Sequence, residues 1–137
     1  MSPHFRTQHV REILKVTPRQ VNYWDKTGLV TPSGRGEARE RFYSFSDMVK
    51  LWFIKTLKNE NVSIQMLRVL SEKLMALIEE SQSPPQDLTI MVRGDWILVA
   101  NGELFMTDER DFMVLHTRDL VDLIVAADVT SDAASMF

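Results

Sequence analysis

Three side chains that follow Thr17-Pro18 could contact nucleic acid from one side of a short helix. Thr17 can cap a helix with Pro18 at its first position, which puts Arg19 on the first turn. The forked guanidinium of Arg19 could pair with guanine O6 and N7 or with a phosphate, and Asn22, one turn later, with an adenine edge. Tyr23 combines an apolar ring with a hydroxyl that could face the nucleic-acid backbone. The ordinary alternatives are a solvated arginine, an exposed asparagine and a tyrosine that fills the core.

Two short helices joined by a tight turn are predicted to position these side chains. Thr7 can cap a first helix over residues 8–14, whose apolar residues recur at helical spacing. The second helix turns Val21 and Trp24 inward, and we assign Trp24 to packing. Gly28 fits its C-terminal cap because glycine adopts the left-handed conformation without steric cost.

A basic hairpin is expected after the second helix. Residues 31–45 contain proline and glycine and then resume with aromatic residues, a pattern typical of a hairpin with a loose tip. Its positive charge, partly offset by Glu37 and Glu40, comes from Arg35, Arg39 and Arg41. Two helices and a basic hairpin form a winged helix-turn-helix, in which the second helix enters the major groove of DNA and the wing contacts flanking phosphates. A merely solvated loop is the alternative.

Two longer helices follow the hairpin. Ser46 can cap a third helix over residues 47–60, which has a broad apolar face, and Ser63 opens a fourth. The fourth helix contains leucines that step by three, four and three residues, the alternation of a coiled-coil seam, at Leu67, Leu70, Leu74 and Leu77. This spacing predicts a dimer seam supported by other contacts, and a buried core explains the same spacing.

The carboxy-terminal part changes to a β-type pattern after a linker at residues 83–87 with paired prolines. An antiparallel sheet of three or four strands is predicted from runs at residues 88–92, 96–100, 103–106 and 112–116. Arg93-Gly94-Asp95 and Asn101-Gly102 are turn signals between the first three runs. Thr117 can cap a final amphipathic helix that ends near Asp128, before a frayed tail at residues 129–137.

Composition excludes several kinds of chemistry. The 137 residues, 45% of them hydrophobic, can bury a core, and the absence of cysteine excludes disulfides, thiolate metal sites and a cysteine nucleophile. Neither a membrane span nor a secretion signal is recognisable, so we expect a cytoplasmic protein. Residues 1–62 contain 11 Lys and Arg against 6 Asp and Glu, a net charge of +5, while residues 63–137 contain 5 against 13, a net charge of −8. Only the first part is therefore expected to face a polyanion.

The segments "HVREILKVTPRQVNYWDKTGLVTP" and "RFYSFSDMVKLWFIKTLKNENVSIQML" resemble the DNA-binding region of MerR-type transcription regulators. The resemblance covers residues 5 to about 70 and is strongest at Thr17-Pro18-Arg19, Tyr23-Trp24-Asp25 and the segment around Arg41. This chain has Lys15 at the turn between the first two helices, where the family often has glycine, and Asn22 where it often has arginine.

The residue patterns predict an α+β, non-enzymatic protein, and the resemblance implies a sequence-specific transcription regulator that acts as a homodimer on a palindromic promoter site. The domains expected are a winged helix-turn-helix at residues 1–62, a dimerisation helix at 63–82 and, after the linker, a small β-sheet and helix domain at 88–128. Base reading is assigned to Arg19 and Asn22. Phosphate contacts are assigned to Thr17, Tyr23, Arg35, Arg39, Arg41 and Tyr43. The partners implied are double-stranded DNA, a second copy of the chain and RNA polymerase, with no cofactor, metal or membrane.

Other functions remain open from the sequence alone. An architectural, excisionase-like DNA binder would bend DNA with weak base preference. A protein-interaction module tethered to DNA is a further alternative. No effector is specified for the carboxy-terminal domain, where Trp96, Phe105, Phe112 and Met113 could line an apolar pocket, although alternating apolar residues on short strands more often form a hydrophobic core.

Overall fold

The computed structural model describes residues 5–101 and 112–127. The chain divides into two compact units, residues 1–52 with 122–137, and residues 53–121, so that the third and fifth helices each belong to both. In chain order the elements are β1 (Phe5–Arg6), α1 (Thr7–Leu14), α2 (Pro18–Lys26), β2 (Gly34–Arg35), β3 (Arg41–Tyr43), α3 (Phe45–Asn59), α4 (Ile64–Ser81), β4 (Leu88–Arg93), β5 (Trp96–Asn101), β6 (Met113–His116) and α5 (Thr117–Ala126). These helices and two small antiparallel sheets confirm the α+β fold class.

The helix-turn-helix of the first unit is fixed by local hydrogen bonds. Helix α1 ends at Lys15, which adopts the left-handed conformation with φ 57° and ψ 41°. The Thr17 side chain then accepts a hydrogen bond from the Gln20 backbone N–H at 3.1 Å, while Gln20 Oε1 accepts from the Thr17 backbone N–H at 2.9 Å. This reciprocal capping box confirms the predicted start of α2. Gly28, at φ +75°, follows the end of α2 as expected.

Three residues predicted to cap helices, Thr7, Thr117 and Ser46, do not occupy the capping position in the structure. Thr7 is the first residue of α1, and the helix is preceded by Arg6, whose backbone N–H donates to His9 Nδ1 at 3.0 Å. Thr117 likewise lies inside α5, and its hydroxyl oxygen accepts from the Leu88 backbone N–H at 2.8 Å. The Thr117 hydroxyl therefore joins the start of α5 to β4.

Helix α3 begins at Phe45, two residues before the predicted start at residue 47. The capping position is occupied by Ser44 and not by Ser46. The Asp47 backbone N–H donates to Ser44 Oγ at 3.0 Å, and the Ser44 backbone N–H donates to Asp47 Oδ2 at 2.9 Å. Asp47 Oδ2 also accepts hydrogen bonds from the backbone N–H and the hydroxyl of Ser33. The same carboxylate therefore caps α3 and anchors the chain that leads into the wing.

The wing is a three-stranded antiparallel sheet with the order β1-β3-β2. The hairpin of β2 and β3 was expected, and in it Arg35 lies directly opposite Arg41. Strand β1 was not predicted. It pairs Phe5 with Tyr43 on the other side of β3, and both side chains are fully buried.

The sheet of the second unit has the order β5-β4-β6, with β4 in the centre. All five residues from Leu88 to Val92 are buried, as expected for a central strand covered on both faces. Gly94 has φ +58° at the first central position of the β4–β5 turn, the position where a type II′ hairpin needs glycine. The predicted strand at residues 103–106 and the glycine of the second turn signal lie outside the described residues.

Candidate nucleic-acid interface

Helix α2 separates a buried side from an exposed side. Val21 and Trp24 are each 1% exposed, which agrees with the assignment of Trp24 to packing. Arg19 and Asn22 are exposed, and Tyr23 is 51% exposed, so the core-filling alternative does not describe this tyrosine. Residues three and four apart share one helix face, and the three side chains therefore form one surface opposite the core.

Lys26 is a cationic residue on this surface that the sequence analysis did not single out. It lies seven residues after Arg19, the interval at which helical positions return to the same face, and it is exposed. As the last residue of α2 it also carries its positive charge at the helix C-terminus, where the helix dipole favours a cation. The interval to Arg19 was the signal that would have identified it.

Asp25 connects the end of α2 to strands β2 and β3 of the wing. Arg35 Nη2 donates to Asp25 Oδ1 at 2.7 Å and to Oδ2 at 2.8 Å, while Arg41 Nε donates to Oδ2 at 2.7 Å. The carboxylate is only 10% exposed, compared with 45% for the Arg35 side chain and 23% for that of Arg41. Two arginines around one aspartate leave this cluster with a net charge of +1.

The electrostatics of Asp25 show that its two partners outweigh its burial. Burial alone would raise the pKa of a carboxyl group, because it disfavours the charged form. The hydrogen bonds and charges of Arg35 and Arg41 nevertheless hold the pKa of Asp25 below its ordinary value. The carboxylate therefore stays ionised, and the wing stays connected to α2, across the neutral pH range.

No separate role was predicted for Asp25, although a physical signal marks it. It lies in the last turn of α2, where the helix dipole disfavours a negative charge. A carboxylate at such a position indicates nearby cations. The identity of those cations depends on a hairpin that closes 10 and 16 residues further along the chain, which local pattern does not reveal.

Of the other residues predicted to contact phosphates, Arg39 and Thr17 are exposed and Tyr43 is buried. Arg39 is exposed near the tip with φ +65°, and its backbone N–H donates to the Gly36 carbonyl at 3.0 Å. Tyr43 is fully buried, and burial raises the pKa of its hydroxyl. This burial corrects the predicted phosphate contact of Tyr43, since a side chain packed beside Phe5 of β1 presents no surface to DNA. Thr17 is exposed, with its side chain engaged in the cap of α2.

The leucine repeat of α4 lies mainly in the interior of the chain. Leu67 and Leu70 are 1% exposed and Leu74 is fully buried, while Leu77 is half-buried. A side chain already buried within its own chain leaves no surface for a second copy. The burial of three of the four leucines favours the buried core, which is the alternative to the predicted dimer seam.

A cleft in the second unit lies between α4 and β5. It has a volume of about 420 Å³ and is lined by Lys73, Ala76, Leu77, Asp95, Trp96 and Ile97. Lys73 Nζ donates to the Asp95 carbonyl at 2.8 Å, which joins the helix to the β4–β5 turn. Of the four predicted pocket residues, Trp96 lines this cleft and Phe112 packs against its ring at 5.3 Å. Met113 is half-buried elsewhere in the sheet, and Phe105 lies outside the described residues.

Residues 5–101 and 112–127 contain no group of three or more His, Asp or Glu side chains placed to share a metal ion. No helix in the same ranges combines the length and apolar character needed to cross a membrane.

Comparison with known proteins decides the family. A family model described as a MerR HTH family regulatory protein matches residues 5–74. The chain belongs to the MerR family. The match covers α1, α2, the wing, α3 and the first part of α4, and it confirms the resemblance stated from the sequence.

Curated relatives extend the similarity into the carboxy-terminal part. Proteins named uncharacterized HTH-type transcriptional regulators, from the CDC 1551 and H37Rv strains of Mycobacterium tuberculosis and from Mycobacterium bovis, are each 36% identical over 123 residues. The alignments cover 88% of this chain and 47% of each relative. The chain thus spans about half the length of the curated relatives it matches.

Proposed function

We propose that this MerR-family chain is a sequence-specific DNA-binding regulator of transcription. The observation that carries the proposal is the exposed surface of Arg19, Asn22 and Tyr23 on α2, connected to the basic wing through Asp25. In the docking geometry of winged helix-turn-helix proteins, Arg19 and Asn22 would contact base edges in the major groove. Tyr23 would contact the phosphate backbone beside them.

The wing arginines would bind the phosphates next to the major-groove contact. Arg39 is exposed at the tip, and Arg35 and Arg41 keep N–H groups that Asp25 does not use. Phosphate contacts of this kind carry little sequence information, but they fix the register and orientation of a protein on the duplex. Each phosphate neutralised also releases counterions, so binding would weaken steeply with salt.

We include a homodimer, a palindromic promoter site and RNA polymerase in the proposal. Helix-turn-helix dimers place their second helices in major grooves about 34–36 Å apart, so a two-fold symmetric protein matches a palindromic site. Membership of the MerR family supports this arrangement. The burial of Leu67, Leu70 and Leu74 within one chain argues against these leucines as its interface. A regulator that acts on chromosomal promoters together with RNA polymerase would work in the cytoplasm.

The decisive experiment is selection of binding sites from a random duplex library, followed by titration of the selected site and a scrambled duplex at several salt concentrations. We expect a palindrome to be enriched. Arg19→Ala should weaken binding to the selected site by about ten-fold or more, because a bidentate arginine–guanine contact discriminates between bases by about 1–3 kcal/mol. The matched control is Arg118→Ala, which removes the same charge from the exposed surface of α5.

Two other outcomes would contradict the proposal in different ways. Weak binding to all duplexes with a steep salt dependence would identify an architectural DNA binder. Binding to none would identify the winged domain as a protein-interaction surface. Equal losses in Arg19→Ala and Arg118→Ala would show that α2 does not read bases through Arg19.

A further inference from the structure

We propose that Asp25 is a positioning residue that determines DNA specificity by fixing the wing against α2. The inference rests on the proposed function, because it concerns how the same interface separates its own site from other DNA. Asp25 would not itself contact DNA. It would act through Arg35 and Arg41, whose orientation it holds before DNA is bound.

The first support is the way in which the carboxylate is shared. Arg35 donates to Asp25 through Nη2 alone, and Arg41 donates through Nε alone. A guanidinium has five N–H groups, so each arginine retains donors for a phosphate. Within the described residues, neither side chain has another acidic partner within ion-pair distance. Each can therefore contact Asp25 and a phosphate at the same time.

The second support is the register of the wing. Arg35 and Arg41 lie directly opposite one another in the β2–β3 pair, and two like charges in that position destabilise a hairpin. The carboxylate of Asp25 lies within 2.8 Å of both guanidinium groups and offsets this repulsion. Without it, the two arginines would repel each other and the short wing strands would lose their connection to α2.

The third support is the position of Asp25 in the chain. It comes two residues after Tyr23 and three after Asn22, on the same nine-residue helix as the proposed base-reading side chains. A connection at this point transmits the orientation of the wing directly to α2. Phosphate contacts then hold α2 in one register, and only the correct base sequence satisfies Arg19 and Asn22 in that register.

The two roles of Asp25 make opposite contributions to DNA binding. As a negative charge near the duplex, it weakens attraction to any DNA. As a positioning residue, it reduces the number of side-chain conformations that must be frozen when the correct site is bound. Removing the charge should therefore strengthen binding to scrambled DNA and weaken the preference for the selected site.

The test compares Asp25→Asn with Glu37→Gln in the full chain. Both substitutions remove one negative charge, but Glu37 lies in the exposed wing tip and forms no ion pair within the described residues. We expect Asp25→Asn to tighten binding to scrambled duplex, to steepen its salt dependence by about one counterion, and to lower the specificity ratio by roughly ten-fold. Glu37→Gln should tighten binding to both duplexes equally and leave the ratio unchanged.

A second pair of variants tests the connection if Asp25→Asn folds poorly. Arg35→Lys keeps the positive charge but replaces the planar guanidinium, whose Nη2 contacts both carboxylate oxygens, with a flexible ammonium. Arg118→Lys makes the same change on the exposed surface of α5, at a residue with no part in the proposed interface. We expect the ratio to fall in Arg35→Lys and to stay unchanged in Arg118→Lys. In the double variant with Asp25→Asn, adding Arg35→Lys should cause no further fall. Circular dichroism melting curves monitor folding in every variant.

Several results would overturn the inference. An unchanged specificity ratio in Asp25→Asn would show that Asp25 acts only as a charge, and parallel losses for both duplexes would show a purely structural role. Additive effects in the double variant would mean that Arg35 acts independently of Asp25. If the wild-type protein selects no site at all, the proposed function fails first and the inference fails with it, whereas selection by the wild type with an unaffected ratio in Asp25→Asn overturns only the inference.

Discussion

Lys15 shows how one residue can retain an unfavourable backbone conformation. Its φ of 57° and ψ of 41° lie in the left-handed region, where a side chain other than glycine costs about 1–2 kcal/mol. Its backbone N–H donates to the Arg11 carbonyl at 2.9 Å, so the conformation closes the end of α1 and starts the turn toward α2. The geometry of the helix-turn-helix is thus retained with a lysine, and not a glycine, in the turn.

We expect Lys15→Gly to stabilise the protein by about 0.5–1 kcal/mol, since the relief of strain exceeds the entropy that glycine loses on folding. The free energy of unfolding in urea is the measurement. The matched control is Lys55→Gly, which makes the same change in the interior of α3 and should destabilise the protein by about 1 kcal/mol. Destabilisation by both variants would show that the Lys15 side chain contributes more than its backbone costs.

His9 makes stability depend on pH near neutrality. Its Nδ1 accepts the Arg6 backbone N–H, while its Nε2 is buried and lacks a hydrogen-bond partner among the described residues. Burial lowers the pKa of His9, and the charge of Arg6 adds to this effect while that of Glu12 opposes it. Because the folded pKa lies below that of the unfolded chain, stability is fully present above about pH 6.5 and falls as the pH drops below it.

The variant His9→Gln should reduce this loss of stability between pH 7.5 and pH 5.5, because glutamine keeps an acceptor for the cap of α1 and does not titrate. Urea unfolding of both proteins at the two pH values measures the difference. An unchanged pH dependence in His9→Gln would assign the loss to other groups.

At the scale of elements, capping decides where the helices begin. Ser44 and Asp47 form a reciprocal pair three residues apart, whereas the side chain of Ser46 plays no part in the cap of α3. We expect Ser44→Ala to lower the free energy of unfolding by about 1 kcal/mol. Ser46→Ala should change it by less than about 0.5 kcal/mol, as is usual away from caps and cores. Equal effects of the two variants, measured by thermal melting, would contradict the observed cap.

Elements governed by local chemistry could be predicted from the sequence, and those set by distant pairing could not. Thr17, Pro18 and Gly28 defined α2 because caps act within one helical turn, and helical spacing then placed Arg19, Asn22 and Tyr23 on one face. The two-residue strand β1 has no local signal, since only its register with β3 creates it. The burial of Tyr43 and the pairing of Asp25 depend on the same long-range closure of the wing.

At the scale of the whole molecule, the leucines of α4 contribute to the stability of the single chain. We expect Leu74→Ala to lower the free energy of unfolding by about 2–5 kcal/mol, the usual cost of a cavity in a core. Because the effect arises within the chain, the change in melting temperature should be the same at all protein concentrations. Val69→Ser, on the exposed surface of the same helix, is the control and should have little effect on stability.

The outcome of this comparison also bears on the proposed homodimer. Sedimentation of wild type and Leu74→Ala at several concentrations would show whether the substitution changes self-association. If Leu74→Ala leaves the free energy of unfolding unchanged but converts a dimer into monomers, the leucines form the predicted dimer seam. Their assignment to the interior of the chain would then be wrong.

The exposure of Trp96 beside the cleft makes one part of the tryptophan fluorescence of the protein accessible to a quencher. The chain contains three tryptophans, of which Trp24 and Trp52 are buried while Trp96 is 46% exposed. A collisional quencher such as iodide would reach the third indole and largely spare the other two. The fluorescence of the folded protein would therefore separate into a shielded and a quenchable component, and the quenchable component would report any molecule that settles in the cleft between α4 and β5.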